Sequence, residues 1–546
     1  MVARVTRPAL IPLLIAIAGA AIVLYQWIGA RPLWLDEEMI ALNFRDRSFA
    51  GLGGQLWLDQ SAPLGWLALQ RLVLLVLGPS EVVLRAIPAL FGVATVFAAF
   101  FIGRRWMTTI GCAIFLLLCS LGQWMSFHAV ELKSYSADTF WGLSLPALAV
   151  AAGTASSADA RRRSLATWTI AAAIGHWLSL GALLVLPACF VVVAVTERRD
   201  REGMRRLALA FTAVIASFAL HYLLAIRYAQ GSASLQDFWQ FAMAPRDAGV
   251  ADSLKWLYGR LEPFASKPGG TGLAVSFWIC VALGVAFAPA RLLGLATGLV
   301  ILSGFALATA RIMPLYERLS MWFVPALYLA VALSADRGVS WIRQRQPMNY
   351  SMKLAAACII FVMVGTVCVD VVENGVHDLR FGRPTDSNRI TDDRGAIAWL
   401  MQQREPGDIL ITTHHAQPAI WWYGRVPISE GGGRAFPDGG RIFSAEYYAA
   451  PRDCRGRELE TAIARGHRVL VYFGFVDTTP GFDDLLLDKL SQIGTVTALR
   501  HFPGASRAAV IDPAFRGGSN LFWEDAGKDT GMWLTGCVAV EAARVW

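Results

Sequence analysis

Charge is scarce in this chain. Asp, Glu, Lys and Arg make up 16% of its 546 residues, where an ordinary soluble domain has about 25%. With 55% of residues hydrophobic, the composition excludes a disordered chain and points to an integral membrane protein. No CxxC and no His/Cys metal spacing occurs, so the usual sequence signatures of a bound metal or a dithiol are missing. The Gly-rich stretch Gly431-Gly432-Gly433, with Gly439-Gly440 nearby, does not join a strand to a helix. It therefore reads as a surface loop rather than a phosphate-binding loop. No repeat relates one half of the chain to the other, which argues against many transporter architectures.

What the chain has is a series of apolar runs, each near the roughly 20 residues needed to cross hydrocarbon. They fall at 9–28, 82–102, 108–125, 138–152, 165–178, 180–195, 207–226, 271–288, 292–310, 319–333 and 354–372, and they stop near residue 373. The first follows a short basic stretch and resembles a signal peptide, but it lacks a convincing cleavage site and reads as a retained helix. The stretch 62–77 is apolar but short and carries Arg71. If it crossed, Arg104-Arg105, Arg161-Arg162-Arg163 and Arg198-Arg199 would all face outward, against the positive-inside bias. Treated as an amphipathic helix in the interface, it leaves those clusters cytoplasmic. The same parity accounts for the net charge of +8 without nucleic acid.

The expected fold class is therefore a polytopic α-helical membrane protein of about eleven transmembrane helices with a C-terminal periplasmic α/β domain. The N-terminus would be cytoplasmic, and the membrane the inner (plasma) membrane of a bacterium. The membrane domain spans 1–372, with a first outer loop at 31–61 and the interfacial helix at 62–77; the soluble domain spans 373–546. In that soluble half, helices are expected at 394–403, 457–465 and 484–493, and strands at 408–413, 468–475, 495–501 and 507–511. His414-His415 follows a strand end and reads first as loop. Six cysteines lie in apolar helices as small packing residues. Cys454 and Cys537 stand apart in the outer domain, where an oxidising compartment would permit a disulfide between them without requiring one.

Parity gathers the polar residues of the membrane half on the outer face. Asp36, Glu37 and Glu38 open the first outer loop, and Asp59-Gln60-Ser61-Ala62-Pro63 closes it. Glu131, Lys133 and Tyr135 form a second polar knot, with His128 just before it; His176 breaks an apolar run, and Tyr316-Glu317-Arg318 lies at the same level. Any one of these is most simply an interface residue or solvated charge, Glu38 in particular. Together they supply a carboxylate base, cations for a phosphate and aromatic surfaces. A polyprenyl phosphate leaves without a strong acid, whereas an attacking hydroxyl needs a base. Lys133 and Arg318 could stabilise the departing phosphate. A divalent cation could help, but Asp59, Gln60 and His176 are too few ligands to define a site, so the metal stays unassigned and no cofactor is required. The competing class is a polytopic transporter or lipid flippase with an extracytoplasmic domain.

In their order along the chain, Trp34-Leu35-Asp36-Glu37, Asp59-Gln60-Ser61-Ala62-Pro63-Leu64, Gly78-Pro79-Ser80-Glu81 with Leu84-Arg85-Ala86-Ile87-Pro88, Glu131-Leu132-Lys133-Ser134-Tyr135 and Tyr316-Glu317-Arg318-Leu319 resemble the GT-C superfamily. The nearest branches are the dolichyl-phosphate-mannose protein mannosyltransferases and the aminoarabinose transferases of lipid A. The resemblance implies a hexosyl- or pentosyltransferase that inverts the sugar carried by a polyprenyl-phosphate donor. It implies Asp36 as general base with Glu37 beside it, and Lys133, Arg318 and Tyr135 at the donor phosphate. Asp59, Gln60, Glu131, His176 and Tyr316 would contact substrate. The acceptor would be a lipid, glycan or protein at the membrane. Where the aminoarabinose transferases carry a Glu-Lys pair, this chain has Gln60-Ser61, which weakens the case for a metal and for a lipid A acceptor.

Overall fold

The structure is a computed structural model that describes residues 10–343, 350–381, 391–430, 432–448, 465–474, 482–491, 494–504, 506–514, 522–524 and 531–535. The chain divides into two compact units, one from Met1–Ala30 and Ser61–Pro384, the other from Arg31–Gln60 and Thr385–Trp546. The first outer loop, placed with the membrane half in the sequence reading, thus groups with the C-terminal residues.

The first unit is helical. The apolar runs read from the sequence are mostly helical, though 82–102 breaks at Arg85 and 319–333 starts in a 3-10 turn before helix Val324–Arg343. Among the described residues six helices are long and apolar enough to cross a membrane: Leu10–Ile28, Ala86–Trp106, Leu180–Glu197, Arg201–Gln230, Arg291–Thr309 and Ser351–Leu379. Several helices of this unit start at short polar side chains that accept a hydrogen bond from the first turn. Thr108 accepts from Gly111 at 3.2 Å, Ser157 from Ala160 at 3.2 Å and Ser179 from Ala182 at 3.0 Å. The outward faces stay apolar, as at Leu90, Phe101, Val362 and Val369, and suit hydrocarbon rather than water. Inward faces use small residues for close crossings. A Cβ on Gly142 would lie 1.8 Å from the Trp322 carbonyl oxygen, and one on Gly284 would lie 1.8 Å from that of Ala330. The stretch 62–77 forms the 14-residue helix Leu64–Leu77.

The second unit is built on a seven-stranded sheet: β1 (Ile409–Thr413), β2 (Ile442–Tyr448), β3 (Val469–Phe473), β4 (Gly494–His501), β5 (Arg507–Pro513), β6 (Phe522–Glu524) and β7 (Gly531–Thr535), in the order β4-β5-β3-β1-β2-β7-β6. β1 runs parallel to both β2 and β3, with Ile411 opposite Phe443 and Val471. The remaining pairings are antiparallel. Every residue of β1 and β3 is buried, as expected for central parallel strands covered on both faces. The expected helices at 394–403 and 484–493 appear as Asp393–Gln403 and Phe482–Ser491. That at 457–465 lies outside the described residues but for its last position, and Cys454 and Cys537 lie outside them too. Helix Gln417–Tyr423 and strands β2, β6 and β7 were not anticipated.

Candidate active site

The acidic residues open helix Leu35–Asp46, which starts at Trp34. Their three carboxylates have different surroundings. Glu37 is buried and turns back on the helix start, its carboxylate accepting the Trp34 backbone N–H at 2.9 Å, the Glu half of a capping box. Glu38, read from the sequence as a solvated neighbour, is only 1% exposed, which corrects that reading. Burial pushes its carboxyl well above the usual range, and the charges of Asp393 and Glu37 add to the rise. Asp36 keeps partial access to solvent.

The end of the loop folds back onto this helix. The Asn43 amide donates to the Trp57 carbonyl at 3.0 Å and accepts the Trp57 N–H at 2.7 Å. Gln60 reaches the Met39 sulfur at 3.5 Å. The intervening turn holds Leu58 and Asp59 at φ of 60° and 47°. Asp tolerates that left-handed region through local hydrogen bonding, whereas Leu is strained there, and strain of this kind concentrates at functional sites. The first loop thus gathers Asp36, Glu37, Asp59 and Gln60 on one short element and its return.

Asp393 anchors the surroundings of Glu38. Its Oδ1 accepts from the Tyr472 hydroxyl at 2.5 Å and from Ser506 at 3.2 Å. Burial lifts this acid from 3.8 to about 6, against the opposing effect of those hydrogen bonds. The Tyr472 hydroxyl is also pushed up, by burial first and then by Asp393. A carboxyl with a raised folded-state pKa binds more protons folded than unfolded across the interval between the two values. Stability is therefore largest below the unfolded pKa near 4 and falls as pH rises toward about 6. For Asp393 the shift is worth on the order of 3 kcal/mol. We expect the purified protein to melt at a higher temperature at pH 5 than at pH 7.5, and Asp393→Asn to flatten that slope. Equal slopes in the two proteins would remove Asp393 as its source.

In the first unit, helix Gln123–His128 leads into a buried polar knot. His128 is ion-paired with Glu131 and ringed by Trp124, Phe127 and Tyr135 at centroid distances of 5.1–5.2 Å. The Lys133 N–H closes a tight turn on the Glu131 carbonyl at 2.7 Å. Glu131, Lys133 and Tyr135 are all at least nine-tenths buried. A separate group forms around Tyr316, whose ring meets Trp239 and Phe241 at 5.3 Å each. Arg318 follows in the short 3-10 helix Glu317–Ser320. Burial and the nearby Glu317 raise the Tyr316 hydroxyl.

His176 is 0% exposed and belongs to a directional chain. The Leu64 N–H donates to His221 Nε2 at 3.3 Å, which leaves the His221 proton on Nδ1 facing His176 Nδ1 at 3.1 Å. The His176 Nε2–H then points to Ser217 Oγ at 3.1 Å, and Ser217 donates onward to the Ala173 carbonyl at 2.8 Å. Both ring nitrogens of His176 are thus engaged within the protein. His221 in turn meets the start of helix Leu64–Leu77, where a Cβ on Gly65 would sit 2.6 Å from the Trp177 carbonyl oxygen. His221 was missed from the sequence. The available signal was a second histidine near the end of the apolar run at 207–226. Among the described residues no three His, Cys, Asp or Glu come together as a metal set.

Solved structures share this fold. ArnT from Cupriavidus metallidurans bound to undecaprenyl phosphate matches with a TM-score of 0.52 at 16% identity, over 93% of this chain and 99% of that one. Its apo state matches with a TM-score of 0.51 at 15% identity, over 91% and 97%. At such identities the likeness is one of fold. No protein-family model matches the sequence, and no curated protein does.

Proposed function

We propose that this chain is a membrane glycosyltransferase that moves a sugar from a polyprenyl-phosphate donor to an acceptor at the outer face, with inversion and with Asp36 as general base. The observation that carries the reading is the division of labour among the three carboxylates. Glu37 is committed to the helix start and Glu38 is buried near Asp393, while Asp36 keeps access to solvent. The fold shared with ArnT, which binds undecaprenyl phosphate, supports a lipid-phosphate donor. Lys133 and Arg318, with Tyr135, take the donor phosphate in this reading, and the aromatic group at Tyr316 suits the face of a sugar ring. Asp59, Gln60 and Glu131 are the polar groups left to orient substrate. Eleven spans with a cytoplasmic N-terminus and a periplasmic C-terminal unit complete the proposal, supported by the placement of the Arg clusters.

Mass spectrometry of lipids and surface glycans in a strain lacking the gene tests it. The expected result is loss of one sugar from an envelope acceptor and accumulation of its polyprenyl-phosphate donor, both reversed by the intact chain. Unchanged lipids and glycans would overturn the proposal. So would purified protein in vesicles that moves a lipid across the bilayer and forms no product.

A further inference from the structure

We propose that the C-terminal α/β unit is the positioning platform of the acidic helix, with Arg45 as the positioning residue. This rests on the reading of Asp36 as base and adds a task for the α/β unit and for a residue far from the reacting atoms.

Arg45 lies in the last turn of helix Leu35–Asp46. Its guanidinium, a rigid fork of five donors, is squared up by its own neighbour: Nε and one terminal nitrogen each bind an Asp46 carboxylate oxygen at 2.7 Å. The same fork donates to the Trp421 carbonyl at 2.8 Å and to the Val426 carbonyl at 2.5 Å. Trp421 belongs to helix Gln417–Tyr423, whose last carbonyls have no partner within the helix and attract a cation. The guanidinium also lies 5.4 Å from the Trp422 ring centroid. Asp46 completes the exchange by accepting the Ile428 N–H at 3.0 Å. One ion pair therefore reads a stretch of backbone 376 to 382 residues further along the chain.

The start of the helix is held by the same unit. The Leu33 N–H donates to the Tyr423 hydroxyl at 2.8 Å, and Glu38 is buried within electrostatic reach of Asp393 and Tyr472. A helix of 12 residues is marginal by itself. Its place is therefore set by what grips both ends. A base displaced by about 1 Å can lose roughly 10²-fold in rate, which is how a contact on the far end of the helix reaches the chemistry. A lysine at 45 keeps the charge but cannot bind Asp46 and two carbonyls in one plane.

The test compares wild type, Arg45→Ala, Arg45→Lys and Asp36→Asn at matched protein levels. The readouts are product formed in the complemented strain, amide hydrogen exchange of residues 35–46, and affinity for undecaprenyl phosphate in nanodiscs. The expected Arg45→Ala phenotype is roughly 10²-fold less product and about tenfold faster exchange in 35–46, with lipid affinity within about twofold of wild type. Arg45→Lys should fall between. Normal product or unchanged exchange in Arg45→Ala overturns the platform. Lipid affinity lost in step with product overturns it as well, since that is general unfolding, which Arg45→Lys would then share. If Asp36→Asn makes normal product, the base assignment fails whatever Arg45 does. If only the Arg45 variants behave as wild type, the platform alone fails.

Discussion

Asp36→Asn is expected to cut sugar transfer by about 10³-fold, within the range that a positioned general base contributes, while the protein inserts and purifies as wild type. The substitution keeps size and hydrogen-bonding reach and removes only the ability to take a proton. Its neighbours provide the controls. Glu37→Gln still offers an oxygen to the Trp34 N–H, so transfer should stay within a fewfold of wild type. Glu37→Ala removes the cap and should cost about 1 kcal/mol of stability. Glu38→Gln resembles the protonated form that burial favours, and it should leave the rate nearly unchanged while reducing the pH dependence of stability. A variant set in which Glu37→Gln is inactive and Asp36→Asn is active would move the base by one residue along the helix. The outcome is visible as product in complemented cells and needs no prior identification of the sugar.

What the sequence revealed and what it hid follow from the range of the interactions. Apolar runs are local, so the helices of the first unit were legible down to the short Leu64–Leu77 helix. The central strands β1 and β3 were legible because continuous apolar runs bounded by turns need no distant partner to be seen. Helix Gln417–Tyr423 is seven residues long, too short to show a period, and β6 is shorter still. The state of Glu38 was hidden for a different reason. A carboxylate in a polar loop reads as solvated, and only Asp393 and Tyr472, more than 350 residues away, show that it is buried. The same distance concealed the link from Arg45 to Trp421 and Val426. His176 stood out because it is polar in an apolar run; its contact with His221, on another helix, could not be read from the sequence.

Lys133→Met is expected to lower transfer by about 10²- to 10³-fold, comparable to removal of an electrostatic stabiliser from a water-poor site. Unlike Asp36→Asn, it should also weaken binding of undecaprenyl phosphate in nanodiscs. The reason is the setting of the side chain. Lys133 is 8% exposed, in a turn closed on Glu131 and beside the Tyr135 ring helix. Charges shielded from water interact across a lower effective dielectric, so a cation there contributes more to a phosphate than the same group on the surface. A phosphate gains charge as the sugar departs, so Lys133 should act more strongly in the transition state than in the bound donor. The loss in transfer should therefore exceed the loss in lipid affinity. Lys133→Arg retains the charge but brings a wider planar head into a buried turn, and partial activity is the expected result. Arg318→Ala should fall in the same direction. If Lys133→Met binds the lipid phosphate and transfers sugar as wild type does, the phosphate contact must lie elsewhere in the helical unit, and Glu131 would then be explained by its pair with His128 alone.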